Sequence, residues 1–310
     1  MPAITGTRPV GDSNTSVLDT KARQCESFVW SARPYEQRFR EGIMAYKFIK
    51  IEVSDNIATL ALARVESLNA LSLEFTREIA EAVREVGARD DVRVILVTSD
   101  AREFCAGLDL KAFTTMGLDG SAKCNLEFPV KLADLFDSCN VLEECAKPVI
   151  AAVHGMCVGG GLDIISACDI RLCTDDATFS LREAAIGLVA DMGVLQRLPH
   201  IIGQGYTREM AYTARFFTAE DAVRMGLVNA VYATRDTMLE AARKLAASIA
   251  DNAPLAVQAT KEVLNYSRYT DIREGMTLAV HKNMVLFTSQ DMMEAVSAFR
   301  ERRPPVFKGC

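Results

Sequence analysis

The sequence predicts an α/β fold that gives way to helices alone towards the C-terminus. Three observations predict it. Short apolar runs rich in β-branched residues alternate with segments of helical spacing between residues 46 and 192. Such alternation implies parallel strands joined by helices. After about residue 192 the strand signals thin out, and the helical tail reads as a lid or an oligomer contact. With 310 residues, 49% of them hydrophobic, the chain can bury a sizeable core.

Residues 1–45 are polar, carry Pro2, Pro9 and Pro34, and show no lasting periodicity, so a partly flexible N-terminal extension is expected. A core over 46–235 and a helical region over 236–310 complete the expected division. Strands are expected over 47–53 and 57–63, with Asp55-Asn56 as the hairpin turn. Leu73, Ile79, Ala82, Val83 and Val86 recur at helical spacing and predict a helix over 73–86. The runs 92–97 and 148–153 are apolar throughout, as buried strands are. A helix opens at Gly159 and reaches Cys168, and short strands follow over 170–173 and 178–181. Helices are then expected over 196–202, 205–213, 219–225, 237–250, 255–266, 276–286 and 291–302. Thr218 is the expected N-cap of the 219–225 helix.

The formal charge of −6 argues against a nucleic-acid binder. An anionic ligand can still be met by a local basic patch or a helix N-terminus. Nine irregularly spaced cysteines, without a CxxC pair or a His-rich cluster, predict no zinc site. Cys157, Cys168 and Cys173 lie in apolar stretches and read as small buried hydrophobes, and a reducing compartment fits them. No apolar run of about 18 residues occurs, so no membrane span is expected. Residues 1–45 hold six basic but also five acidic residues, a weak match to a mitochondrial transit peptide. The chain ends in Phe307-Lys308-Gly309-Cys310, not in the Ser-Lys-Leu peroxisomal ending.

Three segments carry chemistry. Glu103 to Leu110 (EFCAGLDL) follows an expected strand and bends at Gly107. His154 to Asp163 (HGMCVGGGLD) runs from strand through three glycines into a helix. Arg182 to Asp191 (REAAIGLVAD) sets Glu183 and Asp191 in an otherwise apolar stretch. Glycines at a strand-to-helix junction let the backbone approach a ligand. The unpaired N–H groups there sit at the positive end of a helix and suit a developing negative oxygen. A lone glycine run is more often a tight turn, and neither GxxxxGK[ST] nor GxGxxG is present. Asp163 falls in the first helical turn, where the dipole alone favours an acid. Glu183 and Asp191 are either solvated loop acids or buried, tuned ones. His154, His200 and His281 do not cluster and are given no role.

In this order the segments resemble the crotonase (enoyl-CoA hydratase/isomerase) superfamily over about residues 46–300. The resemblance rests on Arg64 to Leu71 (RVESLNAL), Phe104 to Leu110, Lys147 to Asp169 and Phe179 to Leu198. It implies a spiral core of ββα turns with a C-terminal helical trimerisation region. It also implies an acyl-CoA thioester substrate, with the N–H groups of Leu108 and Gly160 as oxyanion hole. Ala106, Gly107, Leu108, Asp109 and Leu110 would contact the CoA adenine and pantetheine, with Gly160 also against the substrate. Hydratases of the family carry Glu where Asp163 and Glu183 stand, and usually Gly at the position of Asp191. The trio Asp163, Glu183 and Asp191, with Gly187 to Gly193 (GLVADMG), is similar to the Δ3,5-Δ2,4-dienoyl-CoA isomerase branch. Arg64-Val65 departs from the frequent Arg-Pro without touching the chemistry.

The resemblance therefore implies conversion of 3,5-dienoyl-CoA to 2,4-dienoyl-CoA in β-oxidation of unsaturated fatty acids. Asp191 would take the C2 proton, Glu183 would supply one at C6, and Asp163 would polarise or orient the pair. No metal and no cofactor beyond the substrate's CoA is expected, and the implied location is mitochondrial, with peroxisomal next. A homotrimer or homohexamer is expected, and Leu239, Leu245 and Ile249 give the tail more apolar positions than a thin lid needs. The alternatives are an enoyl-CoA hydratase, a Δ3-Δ2-enoyl-CoA isomerase, or a non-catalytic binding protein of the same fold.

Overall fold

The computed structural model describes residues 46–114 and 119–310, so the extension expected over 1–45 lies outside the described residues. Strands β1 (Ile49–Ser54) and β2 (Ile57–Leu62) form an antiparallel hairpin that pairs Ile49 with Leu62 and Ser54 with Ile57. Asp55 and Asn56 between them take left-handed φ values of 51° and 63°, as a tight two-residue hairpin turn demands. From β2 onward the main sheet is parallel. Helix α1 (Leu73–Gly87), N-capped by the Ser72 side chain, leads to β3 (Val94–Ser99). Helices α2 (Leu110–Thr114), α3 (Ala122–Lys131) and α4 (Ala133–Glu144) lead on to β4 (Val149–Val153).

A strand–strand–helix unit then repeats. β4 passes into β5 (Met156–Val158) and α5 (Gly160–Ala167). β6 (Ile170–Thr174) passes into β7 (Thr178–Ser180) and a 3-10 turn over Glu183–Ile186. After β3, Cys105 makes a single parallel bridge to Cys157 of β5, marking the equivalent turn. The chain continues through α6 (Val194–Ile201), α7 (Gly203–Thr213), β8 (Phe217–Thr218), α8 (Ala219–Arg224) and β9 (Ala230–Tyr232). Two sheets result, a six-stranded one ordered β1-β2-β3-β4-β6-β9 and a three-stranded one ordered β5-β7-β8. This is the ββα spiral of the expected fold class. Helices α9 (Arg235–Ala250), α10 (Pro254–Tyr266), α11 (Ile272–Leu286) and α12 (Gln290–Glu301) finish the chain.

Both faces of the main sheet are covered, so β3 is buried along its whole length and its alternate residues serve two cores. Ile95 and Val97 join Phe75, Ile79, Val83 and Leu142 in the larger core beneath α1 and α4. Val94 and Leu96 join Ile150, Leu172 and the Met238, Ala242, Ala246 and Ala250 stripe of α9. That stripe repeats every four residues and is made mostly of alanine, so α9 can lie close to the strands.

Two expectations change here. Leu239, Leu245 and Ile249 are half-buried and pack against the second core of their own chain, so only part of each is open to an oligomer contact. The exposed apolar residues lie further on, at Ile272, Met276, Val280, Met284 and Phe287. Helices α2 to α4 also fall in a stretch where the sequence predicts no elements. Helix α3 leaves Leu126 and Val130 exposed and contains Pro129, so its sequence has no apolar stripe to follow. Strands β8 and β9 span two and three residues, too short to show an alternation. Among the described residues no helix is long and apolar enough to cross a membrane.

Candidate active site

The site begins with the turn from Arg64 to Leu71. Leu68 and Asn69 both take left-handed φ, 50° and 55°, a costly geometry for a leucine. The fully buried Asn69 side chain holds the turn in place. Its Oδ1 accepts from the Arg64 N–H at 2.9 Å, and its Nδ2 donates to Ser99 Oγ at 2.8 Å and to the Phe104 carbonyl at 3.0 Å. The turn thereby receives the segment after β3. The Ala106 N–H donates to the Leu68 carbonyl at 3.0 Å, and the Leu71 N–H to the Gly107 carbonyl at 2.7 Å.

Gly107 has φ +89°, and a Cβ there would sit 3.1 Å from the Val158 carbonyl oxygen. A Cβ on Gly159, which has φ +52°, would lie 3.8 Å from the Gly107 Cα. The two glycine-bearing segments therefore touch backbone to backbone. Leu108 and Gly160 leave that junction as the next residue of each segment. Among the described residues, neither the Leu108 N–H nor the Gly160 N–H has a backbone acceptor. Gly160 is the first residue of α5, where an unpaired N–H carries the positive end of the helix dipole.

Of the remaining 106–110 residues, Ala106 is half-buried and Leu110 exposed. Asp109 turns its carboxylate to Arg64, 2.7 Å away. Burial works to raise its pKa, but the Ala112 and Lys111 N–H groups and the Arg64 guanidinium outweigh burial and hold it below the usual carboxylate range.

The three acids converge on this junction. A Cβ on Gly159 would lie 2.9 Å from Glu183 Oε1, so that carboxyl group rests against the glycine run. Its other oxygen, Oε2, is buried without a hydrogen-bond partner. Desolvation, with the Asp191 charge adding to it, raises the Glu183 pKa. Asp163 sits one turn into α5, 1% exposed, and its Oδ1 accepts from the Val194 N–H at 2.8 Å. Burial pushes it up to about 8, with Glu183 and Asp191 contributing in the same direction. The Val194 N–H and the Arg197 charge work against that rise without cancelling it. Asp191 is exposed, and partial desolvation raises its pKa. It is tied to the junction through its neighbour, since the Met192 Sδ lies 3.6 Å from where a Gly160 Cβ would be.

Among the described residues the arrangement offers two N–H groups without a backbone acceptor, a desolvated carboxyl group against the glycine run, and a second, exposed carboxyl group. It can stabilise a developing oxyanion and move a proton between two positions of a bound chain. The sequence motifs single out Leu108, Gly160, Asp163, Glu183 and Asp191, and the structure places them at one junction. They miss Asn69, Met192 and Arg197 as supports, which shape the junction from behind. Asn69 lies inside the Arg64 to Leu71 motif, and Gly193 ahead of α6 marks the close approach of Arg197, but neither signal names a partner.

Comparison with known proteins gives a consistent answer. The family model described as enoyl-CoA hydratase/isomerase matches residues 52–310. The mitochondrial Delta(3,5)-Delta(2,4)-dienoyl-CoA isomerase of Dictyostelium discoideum is 38% identical over 86% of this chain and 93% of its own. The peroxisomal Delta(3,5)-Delta(2,4)-dienoyl-CoA isomerase of Arabidopsis thaliana is 36% identical over 86% of this chain and 98% of its own. Among solved structures, an enoyl-CoA hydratase from Bacillus anthracis superposes with TM-score 0.79 at 28% identity, covering 85% of this chain and all (100%) of the other.

Proposed function

Because the chain belongs to the enoyl-CoA hydratase/isomerase family, we propose that it is a Δ3,5-Δ2,4-dienoyl-CoA isomerase. The observation that carries this reading is the placement of Glu183 and Asp191 about one glycine junction, with the buried Asp163 one turn into the adjoining helix. A hydratase has no work for the third acid.

In the proposed reaction the thioester oxygen accepts from the Leu108 and Gly160 N–H groups. Asp191, the more solvated acid, is ionised and takes a proton from C2. The electron pair delocalises through the diene onto the thioester oxygen, where each donor is worth roughly 10²–10³ in rate. Glu183, the less exposed of the two and with an unpartnered oxygen, is assigned as the acid and gives its proton to C6. The double bonds then stand at C2 and C4, and a proton must pass from Asp191 back to Glu183, directly or by way of solvent, to restore the starting state. C2 and C6 are too far apart for one short carboxylate, which is why two acids are needed. None of these steps calls for a metal or a redox cofactor. Ala106 to Leu110 would carry the CoA, with the Asp109 side chain bracing the segment through Arg64 rather than touching ligand.

Adding 3,5-dienoyl-CoA should raise near-ultraviolet absorbance as the conjugated 2,4-dienoyl product forms. No rise, together with hydration of a 2-enoyl-CoA, would instead support a hydratase, the activity for which the Bacillus anthracis relative is named. We place the protein in mitochondria, with peroxisomes second, since relatives of both kinds are known. The exposed apolar residues of α11 support assembly into trimers or hexamers. Light scattering at micromolar concentration should find no monomer.

A further inference from the structure

We propose that Arg197 is a positioning residue for Asp191, acting through the backbone of Met192 and Gly193; the idea rests on the proton-transfer role proposed for Asp191. Among the described residues the hydrogen bond found at the Asp191 carboxylate comes from its own backbone N–H. Its placement depends on the backbone that follows. That backbone is fixed at three successive residues. Arg197 Nη1 donates to the Met192 carbonyl at 3.1 Å. At Gly193, with φ +106°, the guanidinium lies so close that a Cβ would be 3.0 Å from its Cζ. The Val194 N–H donates to Asp163 at 2.8 Å.

Arg197 is 6% exposed, and such a buried charge needs partners. Its Nε donates to Glu143 Oε2 at 2.9 Å and its Nη2 to Asn140 Oδ1 at 2.8 Å, both from α4. Glu143 is held in turn. Arg268, between α10 and α11, pairs with Glu143 Oε1, and the Asn265 side chain donates to its carbonyl at 3.0 Å. The guanidinium is thus a rigid fork with one branch locked into α4 and the other on the acid loop. A lysine is a single point of charge and cannot serve both branches in the plane. Among the described residues the Arg197 side-chain bonds go to Glu143, Asn140 and Met192 and not to Leu108 or Gly160, so its effect should fall on proton transfer and not on binding.

The test compares wild type with Arg197→Met and Arg197→Lys, using 3,5-dienoyl-CoA in ordinary and deuterated water, with circular dichroism as the control for folding. A misplacement of about 1 Å can cost roughly 10²-fold, so kcat of Arg197→Met should fall about 10- to 100-fold while KM stays within about twofold. Exchange at C2 should slow in parallel, and Arg197→Lys should recover part of the loss. In an Asp191→Asn background, Arg197→Met should add almost nothing, because the residue it positions is already silent. A folded Arg197→Met with near-normal kcat, or a loss that multiplies with Asp191→Asn, overturns the proposal. Should Arg197→Met fail to fold, Glu143→Gln and Asn140→Leu loosen the fork while keeping the arginine; a kcat loss at unchanged KM supports it, and unchanged kcat overturns it. Wild type that exchanges C2 protons without isomerising would defeat the isomerase reading alone, and exchange rates would then decide the role of Arg197.

Discussion

The glycine junction and the acid loop meet at one point but are built in opposite ways. At the junction, residues 105–108 and 158–161 lie backbone against backbone, and all of α5 is buried. Its geometry is set by packing that no single exposed group can disturb. The loop from Glu183 to Gly193 is mostly exposed, from Ala184 through Val189 and again at Asp191. It is fixed by a few polar contacts, those of Arg197 and Asp163 among them. Stabilising an oxyanion needs donors that do not reorganise, and a dense core supplies them. Tuning carboxyl groups apart takes differing environments, and exposure rises from buried Asp163 through half-buried Glu183 to exposed Asp191.

The largest expected effects lie on the loop. Asp191→Asn and Glu183→Gln should each lower isomerisation by roughly 10²–10⁴-fold, the usual worth of general acid–base participation. Stopped assays at saturating 3,5-dienoyl-CoA would measure this. The losses should not multiply in the double variant, since the two residues act as a unit. In deuterated water Glu183→Gln should still exchange the C2 proton, whereas Asp191→Asn should not. Near-normal turnover by Asp191→Asn would remove the case for two-acid transfer.

At the junction, Gly160→Val should cost roughly 10²–10³-fold in kcat, the value of one oxyanion donor. A Cβ there would stand 2.5 Å from Leu71 Cδ1 and 3.6 Å from Met192 Sδ, so the branched side chain must displace the N–H or the ligand. Retained circular dichroism with unchanged turnover would reduce the glycine run to a turn.

Asp163 lies between the two regions and shows itself in stability. Its folded pKa, pushed up to about 8, exceeds the unfolded value of about 3.9. Between those values the folded state keeps a proton that the unfolded state has released, so stability falls as pH rises from about 4 to about 8. Asp163→Asn keeps an acceptor for Val194 and removes that dependence. Its melting temperature relative to wild type should therefore climb between pH 5 and pH 8. A constant difference across that range would mean that Asp163 is ionised in the folded protein.

The smallest expected effect concerns the single clash at Gly160. Gly160→Ala meets chiefly the tip of Leu71, so its loss should be under about tenfold, and Leu71→Ala should restore part of it. No restoration would show that the Gly160 backbone itself is disturbed.

Much of the fold is legible along the chain because strong local patterns write it. The Asp55-Asn56 turn, the stripe of α1 and the all-apolar runs of β3 and β4 leave little choice of structure. The candidate site residues are legible through the motif resemblance, but their supports are not. Glycines and acids in an apolar context are rare enough to notice. A buried asparagine such as Asn69, or an arginine on a helix such as Arg197, looks like any surface residue until its partners are known. The tail misleads for the same reason, since Leu239, Leu245 and Ile249 are apolar whichever surface they cover.

Residue type and spacing along the chain were enough to set the alternating α/β layering and the helical tail, while the candidate N–H groups and carboxyl groups came from the motif resemblance. It took the folded chain to bring Gly107 against Gly159, to rest Glu183 on that contact, and to bury Asp163, which raises its pKa. Burial and charge proximity arise between segments dozens of residues apart, and local spacing cannot encode what a side chain meets after the chain has returned upon itself.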